Sequence, residues 1–411
     1  MKILAISQAY WPDTASISQH LTDLSIELSA KGHDISIITS RNDYENSSIK
    51  YKKNEIYLNI NISRLSNTSL GKGNKLTRLV DFATFNFLVF LKLLRAKKTD
   101  YHLIIGLTQP PLLGFIGIII AKLKKIKFLY WAMDLQPELS IIAGYMKRNS
   151  ISARILQNIG DYIFKHSNTI IALDKYMQQH ILQRVKTRAD IHIIPVWPVM
   201  EEIYLGARLQ NPFRIQNNFG DKIIIMYSGN HSVMHSLDTL LAAERILHKD
   251  SRFLFVHIGG GIRLKDVRKV KQQYKLENIR LLPYQPRDLI HLSLGAADLH
   301  VVILGENCVG YTHPNKIYGA MYIGKPILAI GPKKSHISDV LDDCPGNISI
   351  SHGEIKKLVD LLLEFGLKDE DEINKIGQSN HTYAQTHFSK EYLLAKMIDA
   401  VEACGTKKSE A

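Results

Sequence analysis

Cysteine is nearly absent. The 411-residue chain has three, Cys308, Cys344 and Cys404, an odd number, widely spaced and confined to the second half. They form no disulfide framework and no CxxC metal pair, which favours a reducing compartment. There is no P-loop, no GxSxG, and no His, Cys and carboxylate cluster at metal-binding spacing. Long apolar runs are also lacking. The most apolar stretch, Pro110 to Ala121, has 12 residues, too short to span a bilayer, and reads as a buried helix. The opening MKILAISQAYWPD reads as a strand ending in a polar loop rather than as a signal peptide. Acidic side chains are scarce over residues 51–130, which hold 3 against 14 basic ones.

That scarcity accounts for most of the formal charge of +13. Residues 1–200 net +12 and residues 201–411 net +1, so a basic front half is joined to a neutral back half. The asymmetry points to an anionic partner of the front half: nucleic acid, a membrane surface or a phosphorylated substrate. No nucleic-acid recognition motif accompanies the charge, and nucleic acid is not expected as a partner. The length suggests two or three domains.

The front half alternates short apolar runs with amphipathic ones. Lys2–Ser7 reads as a strand; Ser16–Lys31 places Ile17, Leu21, Leu24 and Leu28 at helical spacing before Gly32; Asp34–Thr39 returns to β-branched residues. Further strands are expected at Leu103–Leu107, Lys127–Trp131, Thr169–Leu173 and Ile191–Pro195. The pattern restarts with strands at Lys222–Tyr227, Phe253–Ile258, Asn278–Leu282, Leu299–Leu304 and Pro326–Ile330 and a helix at Ser236–His248. The fold class is α/β, with two doubly wound, Rossmann-like parallel-sheet domains facing a central cleft. Domain 1 is expected over residues 1–200, a linker over 201–221, domain 2 over 222–385, and a terminal helix over 386–411 packing back on domain 1. In such folds ligands bind at the carboxyl ends of strands.

Tyr227-Ser228-Gly229-Asn230-His231-Ser232 follows a strand and precedes a helix, where exposed amides suit phosphate oxygens. The plainer reading is an Asn/Ser turn capping the helix. Gly259-Gly260-Gly261 also follows a strand, but it lacks GxGxxG spacing and reads as a tight turn rather than a dinucleotide loop. Tyr311-Thr312-His313-Pro314-Asn315-Lys316-Ile317-Tyr318 opens a helix, with Thr312 or His313 as the expected cap. A lysine in a first helical turn opposes the helix dipole, which points to an anion facing Lys316. Trp131-Ala132-Met133-Asp134-Leu135-Gln136-Pro137-Glu138 sets two carboxylates after a front-half strand, as acid/base or hydroxyl-binding groups or simply as a helix cap. Asp369-Glu370-Asp371 spells a DxD triplet but reads as a solvated helix start. The stretch 70–98 combines Lys72, Lys75, Arg78, Lys92 and Arg95 with leucines and phenylalanines. With the basic cluster at 122–127 it suits an anionic membrane surface.

Together these segments resemble the GT-B glycosyltransferases of family 4 over nearly the whole chain. Lys31-Gly32-His33-Asp34-Ile35 is similar to the family's N-terminal signature. Thr108-Gln109-Pro110-Pro111, Asp134-Leu135-Gln136-Pro137-Glu138 and Ile194-Pro195-Val196-Trp197 are similar to motifs of a bacterial surface-polysaccharide branch that includes N-acetylfucosaminyltransferase-like enzymes. Tyr227-Ser228-Gly229-Asn230 and Pro314-Asn315-Lys316-Ile317-Tyr318 with Gly324-Lys325-Pro326 complete the resemblance.

The resemblance implies a retaining, metal-independent glycosyltransferase without a cofactor. It would move a sugar from a nucleotide-diphosphate donor, expected to be a UDP-sugar, to a lipid-linked or surface-polysaccharide acceptor at the cytoplasmic membrane face, with other glycan-assembly enzymes as possible partners. It implies Asp134 and Lys316 as catalytic residues. It implies donor binding by Ser228, Gly229, Asn230, His231, Gly260, Tyr284, Thr312, His313, Asn315 and Tyr318, and acceptor binding by Pro12, Ser16, Gln109 and Glu138. The chain departs from the family pattern where two glutamates usually stand, at Tyr311 and Gly319, and in lacking the Arg and Lys that follow Ser-Gly-Asn. Those departures keep open a catalytically silent subunit of a polysaccharide assembly complex; the other alternative is a sugar-nucleotide epimerase on the same fold, which would not require the basic aromatic segment.

Overall fold

A computed structural model of the chain describes residues 1–44, 46, 48–70, 75–200 and 202–406, with the side chain of Lys75 excepted. It divides into two compact units, Met1–Val196 with the chain from Leu393 onward, and Trp197–Tyr392.

Unit 1 holds strands β1 (Lys2–Ile6), β2 (Asp34–Ser40), β3 (Asn54–Tyr57), β4 (Ile60–Leu65), β5 (Leu103–Leu107), β6 (Lys127–Trp131), β7 (Thr169–Ala172) and β8 (Asp190–Ile193). They form one sheet in the order β3-β4-β2-β1-β5-β6-β7-β8, parallel except for β3 against β4. Its helices are α1 (Ser16–Ala30), α2 (Lys75–Arg95), α3 (Leu113–Lys124), α4 (Glu138–Ile142), α5 (Ile151–His166) and α6 (Lys175–Arg184). The apolar spacing of α1 buries Ile17, Leu21, Leu24 and Leu28 against the sheet. Strand β5 is buried at every residue, as a parallel strand covered on both faces must be. The 12-residue apolar run becomes most of α3, which packs between α2 and α5.

Unit 2 holds α7 (Pro212–Gln216), β9 (Ile223–Ser228), α8 (Asp238–Ile246), β10 (Phe253–Ile258), α9 (Leu264–Tyr274), β11 (Ile279–Leu282), α10 (Ile290–Gly295) and β12 (Leu299–Ile303). It continues with α11 (Lys316–Tyr322), β13 (Ile327–Ile330), α12 (His336–Asp342), β14 (Ile348–Ile350), α13 (Ile355–Phe365) and α14 (Glu370–Phe388). All six strands are parallel, in the order β11-β10-β9-β12-β13-β14. The final helix, α15 (Lys390–Thr406), belongs to unit 1 from Leu393 onward, where Glu402 meets His33 Nε2 at 2.8 Å.

One expectation is corrected. Residues 202–221 are not a free linker but part of unit 2. Arg208 and Arg214 both bond Asp298, at 2.6 and 3.2 Å, and Asn211 caps α7 by accepting from the Phe213 and Arg214 amides. Their Asn, Gly and Pro content serves a tight turn around a buried ion pair.

Candidate functional site

In unit 2, β9 ends at Ser228 and the chain turns through Gly229 at φ +124°, while β10 ends at Ile258 and turns through Gly259 and Gly261 at +120° and +115°. Such dihedrals favour glycine. The two turns lie directly on each other. Gly229 N–H donates to Ile258 O at 2.9 Å, and His231 N–H to Gly260 O at 2.7 Å. A Cβ on Gly259 would stand 2.3 Å from Gly229 O, and one on Gly261 2.3 Å from Asn230 Oδ1. Gly259 and Gly261 are therefore spacing requirements between the two turns.

Lys316, at the start of α11, reaches this rim. Its Nζ lies 3.4 Å from Asn230 O and 5.0 Å from the centre of the Tyr227 ring. Tyr227 Oη donates to the same Asn230 carbonyl at 2.9 Å. Burial lowers the Lys316 pKa to about 8, so the amine is a cation at neutral pH that releases its proton more readily than an ordinary lysine. The exposed ring of Tyr284 borders the glycine run, 3.0 Å from where a Cβ on Gly260 would be. A peptide rim, one cation and an aromatic face together suit a phosphate group attached to a flat ring.

Ser228, Gly229, Asn230, Gly260, Tyr284 and Lys316 thus lie together around the two turns. Three other expected donor contacts need correction. The His231 imidazole is buried beneath the rim, with Nδ1 3.1 Å from Gly260 O, and presents no side chain to a ligand. Tyr318 is buried with its Oη between His313 Nε2 at 2.5 Å and His336 Nε2 at 2.7 Å; this chain secures α11 to α12, and His313 is buried with it. Neither Thr312 nor His313 caps α11, because the helix begins only at Lys316 and Asn315 occupies the cap position without a side-chain cap bond. Thr312 and Asn315 remain half-buried beside Lys316 in sequence. At Gly319, one of the positions where the family pattern has glutamate, a Cβ would be 3.3 Å from Met200 Cε and 3.6 Å from Leu294 Cδ1, an apolar setting.

In unit 1, Gln109 and Asp134 follow the neighbouring strands β5 and β6, and Gln109 Nε2 donates to Asp134 Oδ2 at 3.5 Å. Burial first, then the charge of Asp134, raises the pKa of Tyr130. Glu138 is already engaged: Arg184 Nη1 lies 3.1 Å from its carboxylate and His180 Nε2 3.6 Å away. Burial alone would raise its pKa, but His180 and Arg184 outweigh that and hold it low. Glu138 therefore braces α4 against α6 rather than offering an open acceptor contact. Pro12 is exposed in a loop and Ser16 at the first position of α1, and the loop is held from behind by two groups the sequence reading missed. Asp13 accepts from Ala15 N at 2.9 Å and Tyr44 N at 2.6 Å, and buried Arg64 donates to Trp11 O at 2.7 Å. Glu244 and His257, beneath the rim of unit 2, were also missed. Their signal was a charged or titratable residue on an otherwise apolar face of α8 and of β10.

The DxD triplet is a helix start: Asp369 accepts from Glu372 N at 2.8 Å and Glu372 Oε2 from Asp369 N at 3.1 Å, a capping box. Among the described residues no group of His, Cys, Asp and Glu is arranged to hold a metal ion.

No family model matches the chain. It is 24% identical over 322 residues, 77% of its length and 78% of the relative's, to a Pseudomonas aeruginosa protein named "Probable glycosyltransferase WbjE". Its fold is similar to that of sucrose-phosphate synthase from Thermosynechococcus elongatus (TM-score 0.74, 14% identity, 98% of each chain covered). It is also similar to HepE from Anabaena, solved in complex with UDP-glucose (TM-score 0.71, 15% identity, 98% of this chain and 100% of that one). With its two parallel-sheet units, the chain has the GT-B glycosyltransferase fold.

Proposed function

We propose that the protein is a retaining glycosyltransferase of the family 4, surface-polysaccharide type, moving a hexosyl or N-acetylhexosaminyl group from a UDP-sugar to a lipid-linked acceptor. The observation that carries this reading is the unit 2 rim, where Gly229–His231 and Gly259–Gly261 interlock beside Lys316 and Tyr284. The likeness to a structure solved with UDP-glucose supports it. In this reading the Lys316 ammonium at the rim stabilises the charge that grows on the departing diphosphate. Leaving-group stabilisation then needs no metal. Asp134, held by Gln109, orients the acceptor hydroxyl. The anomeric carbon keeps its configuration because the acceptor enters on the face the diphosphate leaves.

The site of action is the cytoplasmic face of an anionic membrane. Unit 1 supports this with exposed Leu76, Leu79, Val80 and Phe87 on α2, Leu112 before α3, and Ile151 and Ile155 on α5. No helix among the described residues is long and apolar enough to cross a membrane, so the reading is of contact at the surface.

The test is release of nucleoside diphosphate from UDP-, GDP- and dTDP-sugars with membrane lipid extract. The expected result is release from one donor, abolished in Asp134→Asn while that variant still binds the nucleotide. No release from any donor, with or without candidate partner enzymes, overturns the reading. It would favour a silent subunit, which the loss of glutamates at Tyr311 and Gly319 supports. An epimerase would convert the nucleotide sugar to its epimer with no net release of nucleoside diphosphate and no new glycan.

A further inference from the structure

Three titratable side chains stand in a line under the unit 2 rim. Glu244, His257 and His231 are 0%, 1% and 0% exposed. Glu244 Oε1 is 2.8 Å from His257 Nε2, His257 Nδ1 is 3.2 Å from His231 Nε2, and His231 Nδ1 is 3.1 Å from Gly260 O. The line begins on α8, crosses β10 and ends in the rim.

Counting protons constrains its chemistry. The Gly260 carbonyl can only accept, and so can an ionised carboxylate at the other end. Three hydrogen bonds need three protons, one in each gap, whereas two neutral imidazoles supply two. The third is either an added ring proton balanced by the Glu244 carboxylate or the proton of a Glu244 carboxylic acid. Both arrangements are neutral as a whole, as complete burial demands. Because Gly260 O takes the His231 Nδ1 proton and His231 Nε2 takes the His257 Nδ1 proton, the third lies in the gap between His257 Nε2 and Glu244 Oε1.

The line also ends at a sensitive point. Residue 231 grips Gly260 twice, through its backbone N–H and its ring. On either side, a Cβ on Gly259 would collide with the Gly229 backbone and one on Gly261 with the His231 backbone and Asn230 Oδ1. Moving Gly260 therefore moves the whole rim.

We propose that Glu244, His257 and His231 form a neutral three-proton relay that fixes the Gly259–Gly261 turn against Gly229–His231, and thereby positions the rim for a sugar-nucleotide diphosphate. This rests on reading the rim as the donor site. All three are positioning residues, since none presents its side chain to the surface.

The proton count predicts an unusual pattern of tolerance. In Glu244→Gln the amide can donate to His257 Nε2, so two neutral rings complete the same three bonds without charge. In Glu244→Ala one ring nitrogen loses its partner. The experiment measures donor Kd, donor KM, kcat and Tm for both variants. The expected result is Glu244→Gln near wild type in all four, and Glu244→Ala with donor Kd and KM raised about tenfold and kcat changed less. Equal damage from Gln and Ala overturns the relay, and an unchanged donor Kd in Glu244→Ala overturns the positioning role.

Should the alanine variant fail to fold, nitrogen-15 NMR of histidine side chains in the wild-type protein decides. Ring N–H protons of His231 and His257 protected from solvent exchange are expected, and their absence overturns the relay. This arm needs no nucleotide. If wild-type protein binds no nucleotide sugar, the donor reading fails while the relay is still judged.

Discussion

Lys316 shows how a single residue can be placed by sequence and understood only by structure. Its position in a first helical turn, against the dipole, marked it as a residue awaiting an anion. The structure adds its neighbours, the Asn230 carbonyl and the Tyr227 ring, and a pKa lowered to about 8 by burial. The pH consequence follows from the sign of that shift. Below about 8 the amine is a cation and can hold a diphosphate; above it the free protein loses that charge, so donor binding costs a proton uptake. Donor affinity should fall by up to tenfold per pH unit above about 8. Lys316→Arg, whose guanidinium stays charged, should flatten that fall. Lys316→Ala should weaken binding by about 2 kcal/mol at neutral pH. Calorimetry of donor binding between neutral and alkaline pH checks all three, and a wild-type profile flat to pH 10 would remove Lys316 from the site.

At the scale of elements, α2 splits a surface that the sequence ran together. The stretch 70–98 and the cluster 122–127 looked like one basic, apolar surface. Lys72 lies outside the described residues, and both ends of the helix carry basic and exposed apolar residues, Arg78 near its start and Leu94 near its end among them. From Leu79 to Arg95 is about 24 Å at 1.5 Å per residue. The exposed Leu76, Leu79 and Val80 lie at its start. Lys92 and Arg95 lie at its end, where Lys124 Nζ bonds the Leu94 carbonyl at 3.1 Å and the Ala96 carbonyl. Because α2 precedes β5 and α5 precedes β7 while α3 follows β5, the starts of all three helices lie at the carboxyl edge of the sheet. That is the edge carrying Gln109 and Asp134. Lys122 is also engaged, 3.4 Å from His166 Nδ1 and over the Tyr162 ring. On the proposed reading of membrane contact, the apolar helix starts, with Lys147, Arg148 and Arg154 exposed nearby in sequence, are the surface to test. Leu79→Asp with Ile151→Asp should abolish flotation with phosphatidylglycerol vesicles at low salt. Lys124→Ala should reduce stability and leave flotation intact. The reverse pattern would return the contact to the 122–127 cluster.

The whole molecule was legible wherever a local pattern carried the information. Periodicity gave α1 and the central parallel strands to within a residue or two, because those segments bury one kind of surface along their length. Strands β3, β4 and β14 escaped it: β3 alternates half-buried and exposed residues at a sheet edge, and β14 is only three residues long. The site was legible as loops after strands. The side chains under those loops were not, because whether His231 faces a ligand or His257 depends on a residue far away in sequence.

Residues 202–221 were misread for the same reason. Polar turn residues look like a linker until the partner is known, and the partner is Asp298. Its carboxylate accepts from Arg208 Nε at 2.6 Å, Arg208 Nη2 at 2.8 Å, Arg214 Nη1 at 3.2 Å and Ile224 N at 2.7 Å, and it is 1% exposed. Burial would raise its pKa, but Arg208 and then Arg214 outweigh it and the pKa is lowered. A carboxyl with a depressed folded-state pKa stabilises the fold above its unfolded value near 4 and loses that contribution as pH falls through the folded one. Asp298→Asn removes the acid-sensitive part and leaves Arg214 buried without its counter-charge. Urea unfolding at neutral pH should show a loss of about 3–5 kcal/mol. Limited proteolysis should then cut within 202–221 in the variant and spare the wild type. Equally rapid cleavage there in the wild-type protein would restore the linker.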